Sequence, residues 1–197
     1  MTEKEAYWKL EEWGWEGEDE DDKFSVYSEL EDALLSGKGI DAAITKLTTH
    51  GYEKEDVQSR VRAIIKDGYL EGDLSKSKVE SLLKKYGAVK TDNDVWFKLQ
   101  QYEYERLTKE NTTSDVCMVF YAIDQKQSPK SAIDAAVKHG KEKSSIASSL
   151  TNRYKTQYLE LLKTNKSAAY QLGTRLAGIF DYLGYKGTEK VKSWEKK

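Results

Sequence analysis

The feature that most constrains this fold is an internal repeat, in which two stretches of the chain match at a constant offset of 89 residues. The segment 6–13 aligns with 95–102, His50-Gly51 aligns with His139-Gly140, and 69–71 aligns with 158–160. A repeated unit has an apolar face that it buries against its own helices or against its copy. The chain is therefore expected to be a tandem duplication of a unit of about 89 residues.

Apolar residues recur at helical spacing throughout the chain. Val57, Val61, Ile64 and Ile65 form one such stripe, and the whole chain contains one proline, Pro129. An i, i+4, i+7 stripe indicates a helix with one buried face, and proline is the residue that breaks helix interiors. The sequence thus predicts an all-α chain, built as a helical bundle or a short solenoid. The expected helices cover 4–13, 24–35, 40–50, 53–69, 76–86, 91–109, 113–125, 129–138, 146–162 and 172–183.

The repeat divides the chain into two predicted domains. Residues 1–90 form the first unit, with an acidic, turn-rich loop at 14–22, and residues 91–197 form the second. A tryptophan-bearing helix opens each unit in this scheme. It recurs at 191–194 as a C-terminal cap helix, the kind of atypical end that repeat arrays require. The second copy carries about nine extra residues around 164–172.

Charge is unevenly distributed along the chain, although its net charge is only −2. Residues 1–124 contain 17 Lys and Arg against 28 Asp and Glu, a balance of −11. Residues 125–197 contain 15 against 6, a balance of +9. Such a chain can stack head to tail, or it can present its basic end to an anionic partner.

The residue types that usually carry chemistry form no recognisable motif. His50 and His139 each precede a helix-stopping glycine, which favours a structural role over metal binding. Cys117 lies among apolar residues and is expected to be a buried, unreactive thiol. Glycine-rich phosphate loops and nucleophile motifs are missing from the sequence. The expectation is a protein that is not an enzyme and needs no cofactor or metal.

Targeting signals also fail to appear in the sequence. The first 15 residues lack the cationic start and apolar run of a signal peptide, and no stretch approaches the length of a membrane helix. A single cysteine excludes an intramolecular disulfide. A location in the cytoplasm, or in a particle assembled there, is expected, with no membrane contact.

Two surfaces are candidates for binding a protein partner. On the first, Trp13 and Trp15 could anchor in a partner's pocket beside the acidic residues Glu18, Asp19 and Asp21. The second lies in the basic half of the chain and consists of Lys141, Lys143, Arg153 and Lys155.

A helix-turn-helix interpretation is an alternative. Leu47, Gly51 and Val57 have a suitable spacing, with a recognition helix at 53–65. In the second copy Ser144, Asn152 and Lys155 would offer polar groups to bases and phosphates. The acidic residues at 53–56 in the first copy would repel phosphates.

Several segments resemble helical-repeat segments in proteins of tailed bacteriophages and prophages. The resemblance is found in 27–30, 39–43, 50–57, 150–155, 158–162 and 183–185. It implies a phage or mobile-element origin, in which such repeats act as structural or interaction parts. The first hypothesis is a virion or virion-assembly component that binds other proteins, including copies of itself. The alternatives are a phage-encoded inhibitor of a host defence protein and a DNA-binding protein that uses the basic C-terminal half.

Overall fold

The structure is a computed structural model that describes residues 20–196, with side chains described from Tyr27 onward. These residues form helices and connecting turns with no strand, which confirms the prediction of an all-α chain for this part. The helices are α1 Glu20–Ser36, α2 Ile40–Thr49, α3 Lys54–Glu71, α4 Lys76–Lys85, α5 Asp92–Thr108, α6 Cys117–Asp124, α7 Lys130–Lys138, α8 Lys143–Thr164, α9 Lys166–Tyr182 and α10 Gly187–Lys192, followed by a 3₁₀ turn, Ser193–Glu195.

Contacts between helices divide the chain into two compact units after Arg106. The repeat placed the boundary after residue 90, so α5 was expected to open the second unit. In the structure α5 packs with the first unit instead. Its residues Val95, Leu99 and Tyr102 belong to the same buried cluster as Leu34, on α1, and the apolar residues of α2, α3 and α4.

The core of the first unit consists of the apolar stripes of α1 to α4 together with one face of α5. Leu34, Leu47, Val61 and Leu83 are fully buried and come from four successive helices. Tyr102 of α5 joins them, and burial raises the pKa of its hydroxyl to about 12. Short helices are marginal in water alone, so their stability comes from closing these stripes against one another.

Polar contacts tie α5 to α3 along the edge of this core. The ammonium group of Lys66 lies 2.9 Å from the carboxylate of Glu105, and both side chains are partly buried. The Tyr69 hydroxyl donates to Glu103 Oε2 at 2.6 Å. Arg106 also donates to Glu103, and these bonds lower the pKa of that carboxyl. The position of α5 in the first unit thus rests on both apolar and charged contacts.

The second unit is built on the long helices α8 and α9. Leu150 and Tyr154 of α8 and Leu176 and Phe180 of α9 are almost completely buried. Trp194, in the 3₁₀ turn, packs edge-on against Phe180, with ring centroids 5.8 Å apart. The terminal segment that the sequence predicted as a cap therefore contributes a buried tryptophan to the second core.

The turn between α2 and α3 has the same geometry as the turn between α7 and α8. His50 ends α2 and His139 ends α7. Each is followed by a glycine with left-handed backbone, Gly51 at φ 87° and Gly140 at φ 92°. Glycine adopts this conformation without a steric penalty, so it ends both helices. The amide after each glycine donates to a carbonyl five residues earlier: Tyr52 to Leu47, and Lys141 to Ala136.

Several expected boundaries differ from the structure, among them the start of α9, which lies at Lys166 instead of 172. The segment 14–22 was expected to be a loop, but α1 begins at Glu20, so its last three residues are helical. Acidic residues in a first helical turn interact favourably with the helix dipole. The helix expected at 113–125 begins only at Cys117. Upstream, the Thr112 hydroxyl accepts from the Ser114 amide and the Ser114 hydroxyl from the Val116 amide, which compete with helix formation.

The contact between α9 and α10 leaves no room for a side chain at Gly187. A Cβ atom there would clash with the backbone carbonyl of Ala177, which cannot move without distorting α9. We expect Gly187→Ala to lower the free energy of unfolding by at least about 2 kcal/mol, as overpacking does. The measurement is urea denaturation followed by circular dichroism.

Gly178, on α9 beside Ala177, gives a matched control. It is exposed, and a Cβ atom there would meet nothing within 4 Å. Gly178→Ala should therefore stabilise the unit by about 0.5 to 1 kcal/mol, because alanine is the better helix former. Equal effects of the two substitutions would contradict the close approach of α10 to α9.

Candidate protein-binding surface

The candidate site residues at the N-terminus are only partly covered by the structure. Trp13, Trp15, Glu18 and Asp19 lie outside the described residues. Asp21 lies in the first turn of α1, where the backbone alone is described. The acidic half of the predicted surface therefore remains a prediction from sequence.

Two of the basic candidates pair with carboxylates of the second unit. Lys141 Nζ lies 2.7 Å from Asp115 Oδ2, and Arg153 Nη2 lies 2.8 Å from Asp124 Oδ2. Both pairs link residues far apart in the chain: the first ties the segment before α6 to the turn before α8, and the second ties α6 to α8. Lys141 and Arg153 thus hold helices together, and their charges are largely balanced within the unit.

The other two basic candidates are exposed. Lys143 is the first residue of α8, and its ammonium group lies 5.8 Å from the ring centroid of Tyr182. Lys130 approaches the same ring to 5.2 Å. Lys155 lies further along α8 with its side chain in solvent. The structure therefore does not gather the four basic candidates into one site.

Asp124 is the centre of a polar cluster at the end of α6. Its Oδ1 accepts a 2.7 Å hydrogen bond from the Tyr154 hydroxyl, and its Oδ2 pairs with Arg153. The Arg153 guanidinium lies 4.8 Å from the Phe120 ring centroid. Burial, followed by the bond to Asp124, raises the pKa of Tyr154. Arg175 completes the cluster by donating to the Ile123 carbonyl at 3.0 Å, which satisfies a carbonyl at the end of α6.

The reactive side chains lie in environments that suit structural roles. Cys117 is buried at the start of α6, and burial raises the pKa of its thiol to about 12. A thiol with that pKa carries little thiolate near neutrality, and the thiolate is the nucleophile. His50 Nδ1 lies 2.7 Å from the Lys46 carbonyl oxygen in the last turn of α2. Within residues 27–196, no three His, Cys, Asp or Glu side chains are arranged to hold a metal ion.

A wide groove of about 720 Å³ runs along the first unit, between the end of α1 and the start of α2. Its walls carry Glu29, Asp32, Lys38 and Lys46, as well as small apolar residues. Lys46 and Glu29 form a 2.6 Å ion pair within these walls, and each side chain is nearly half exposed. The charged groups of the groove are thus spread along its walls, with one pair joined across it.

The surface that sequence reasoning missed is the tip of the hairpin formed by α8 and α9. Asn165 alone connects the two helices, and its side chain accepts a hydrogen bond from the Ala168 amide at 3.1 Å. Tyr170 is 62% exposed, and the leucines around the tip are only half-buried. The sequence feature that indicates this surface is the segment 164–172, which the predicted repeat leaves unmatched and which contains the connection between α8 and α9.

The described helices do not include one that combines enough length with enough apolar character to span a membrane. Comparison with known proteins gives no match: no family model, no curated protein and no solved structure matches the chain. The candidate function therefore has to be argued from the surfaces and contacts above.

The Asp124 cluster gives a direct test of how α6 is held to α8. Asp124→Ala removes the 2.7 Å acceptor of the buried Tyr154 hydroxyl, whose contact with the Phe120 carbonyl is longer, at 3.4 Å. We expect a loss of about 2 kcal/mol of unfolding free energy, typical of a lost hydrogen bond to a charged group. In a Tyr154→Phe background the same substitution should cost much less. Urea denaturation of the four proteins of this double-mutant cycle measures the coupling.

Asp134 provides a control for this cycle. It accepts a 2.6 Å hydrogen bond from the Tyr182 hydroxyl in an exposed position. Solvent can replace that bond, so Asp134→Ala should destabilise the chain less than Asp124→Ala. Additive effects at Asp124 and Tyr154 would contradict the role given to their hydrogen bond.

Proposed function

We propose that this chain is a non-enzymatic assembly protein of a tailed bacteriophage or prophage, acting through protein–protein contacts in the virion or during its assembly. The observation that carries the proposal is the opposite net charge of the two units. Residues 1–106 contain 16 Lys and Arg against 25 Asp and Glu, a balance of −9, and residues 107–197 contain 16 against 9, a balance of +7. Opposed charges of this size steer association and fix its orientation.

The use of polar side chains within the units supports a role in binding rather than catalysis. Tyr154, Asp124 and Arg153 tie α6 to α8, and Tyr69 with Glu103 ties α3 to α5. These groups position helices, so the outer faces of the helices are available for contact. The attribution to a phage or prophage rests on the sequence resemblance in segments such as 50–57 and 150–155.

We also infer that the chain arose by tandem duplication of one helical bundle. Support comes from the two turns that end in His50-Gly51 and His139-Gly140. The helices that follow begin 89 residues apart, at Lys54 and Lys143. Residues Glu53 and Glu142, which precede them, have almost the same backbone angles, φ −69° in both and ψ 144° and 141°. A duplicated bundle whose copies have acquired opposite charge suits a protein that joins other subunits.

A second candidate function is nucleic-acid binding by the second unit. Its net charge of +7 favours contact with phosphates, and Ser144, Ser148 and Lys155 are exposed along α8. Arg153 contributes less because it pairs with Asp124. A gel-shift titration with duplex DNA at low salt separates this candidate from the first.

Mass spectrometry of purified particles tests the assembly role. We expect the chain in particles from an induced host at a constant ratio to the capsid proteins. Its release on raising the salt concentration is also expected, since salt screens exposed charges. An abundant host cytoplasmic protein, removed by the same purification, provides the control.

The opposite result has a clear meaning. If the chain is missing from particles and is recovered in complex with a host protein, the assembly role is wrong. That outcome would favour the phage-encoded inhibitor of host defence.

A further inference from the structure

We propose that the tip of the α8–α9 hairpin is a docking site for the segment Trp13–Asp22 of a second copy of this chain. The inference rests on the proposed function, since it names the partner of one surface in an assembly protein. Its parts are the rigidity of the tip, its half-covered apolar side chains, its charge, and the composition of the segment.

The tip is held in one conformation by its own backbone and by a close helix contact. The Asn165 amide donates to the Leu161 carbonyl at 2.7 Å, so the single connecting residue closes α8 while its side chain caps α9. Further from the tip, the Tyr158 ring of α8 lies against Gly173 of α9, where an added Cβ atom would come within 2.8 Å of the ring. Such a tip presents a preformed surface and loses little entropy on binding.

The apolar stripe of each helix continues into the tip, where its leucines are only half-buried. On α8 the buried residues Leu150, Tyr154 and Tyr158 are followed at helical spacing by Leu161, which is only half-buried. On α9 the stripe of buried residues reaches Ala169, Leu172 is only half-buried, and Tyr170 is 62% exposed.

The lengths of the helices explain this partial exposure. Helix α8 has 22 residues where α3 has 18, and α9 has 17 where α4 has 10. At a rise of about 1.5 Å per residue, these extra residues add at least one turn to each helix of the hairpin. The added turns carry the half-exposed leucines, so the second copy has gained an apolar surface that the first lacks.

The same tip is positively charged. Lys163 and Lys166 are exposed at the tip, Lys155 is exposed about two turns before Lys163 on α8, and Glu160 is the one acidic residue in 154–180. The ion pairs found among the described residues do not involve these three lysines. A partner that suits the tip must therefore supply aromatic or aliphatic side chains together with several carboxylates.

The segment Trp13–Asp22 has this composition. It contains two tryptophans and six acidic residues, and no lysine or arginine occurs between Leu10 and Lys23. Tryptophan is the residue most enriched among those that dominate binding energy at interfaces. Each chain carries one such segment and one hairpin, so contact between copies is head to tail and can extend to a ring or a filament.

Sedimentation velocity of the full chain and two charge variants tests this contact. The hairpin variant combines Lys155→Glu, Lys163→Glu and Lys166→Glu. The segment variant combines Glu16→Gln, Glu18→Gln, Asp19→Asn and Asp21→Asn. We expect the unmodified chain to self-associate with rising concentration, and each variant alone to associate at least about tenfold more weakly, as loss of charge complementarity dictates.

An equimolar mixture of the two variants gives the decisive result. Each variant retains one intact half of the contact, so the mixture should form a complex that stops at two chains. The control variant places the same charge change elsewhere in the second unit, with Lys126→Glu, Lys130→Glu and Lys138→Glu, and should associate as the unmodified chain does. Circular dichroism melting of every variant establishes that it is folded.

Three results would overturn the inference: a chain that stays monomeric at all concentrations, a control variant that loses association as fully as the hairpin variant, and a mixture that does not associate. The last would mean that the segment binds its own chain or another partner. A monomeric chain that is still found in purified particles would refute this contact and leave the proposed function intact. If the chain associates head to tail but is missing from particles, this contact stands and the proposed function is refuted.

Discussion

The structure depends on the closure of short amphipathic helices by a last helix in each unit. Helices of about ten residues, such as α2 and α4, are not stable in water by themselves and need a buried apolar stripe. In the first unit α5 supplies Leu99 and Tyr102 to the shared core. In the second unit α10 and the 3₁₀ turn supply Val191 and Trp194. Each closing segment also supplies a glutamate that accepts a hydrogen bond from a tyrosine, on α3 in the first unit and on α8 in the second.

These tyrosine–glutamate bonds show that the two units attach their closing segments by the same kind of contact, although the segments themselves differ. Tyr69 donates to Glu103 in the first unit, and Tyr158, 89 residues later, donates to Glu195 in the second. Burial and the bond to Glu195 raise the pKa of Tyr158 to about 12. The acceptors come from segments of unequal length, a helix of 17 residues and a three-residue turn.

Most of the helices could be predicted from sequence because their apolar spacing and glycine stops are local signals. The helices that start at Ile40 and Lys76 begin where the pattern placed them. The division between the units could not be predicted in this way. The spacing of a repeat does not show at which helix each unit begins. The assignment of α5 to the first unit depends on contacts between residues far apart in sequence, such as Lys66 with Glu105.

The candidate surface was predictable only in its charge. The excess of basic residues after residue 125 is a property of composition, but the pairing of Arg153 with Asp124 and of Lys141 with Asp115 is not. These pairs depend on which helices pack together. Likewise, the residues near Asn165 could be recognised from sequence only as a segment that the predicted repeat leaves unmatched, whereas the exposure of Tyr170 depends on how the hairpin packs.

The central claim is that α5 closes the first unit. Native-state hydrogen exchange of the full chain, followed over a range of denaturant concentrations, tests it most directly, because it reports which amides open together. The amides of α5 should share one opening free energy and one denaturant dependence with those of α3, while those of α8 and α9 form a separate set. The claim would be contradicted if the amides of α5 opened together with those of α8, or if they exchanged freely while α3 stayed protected.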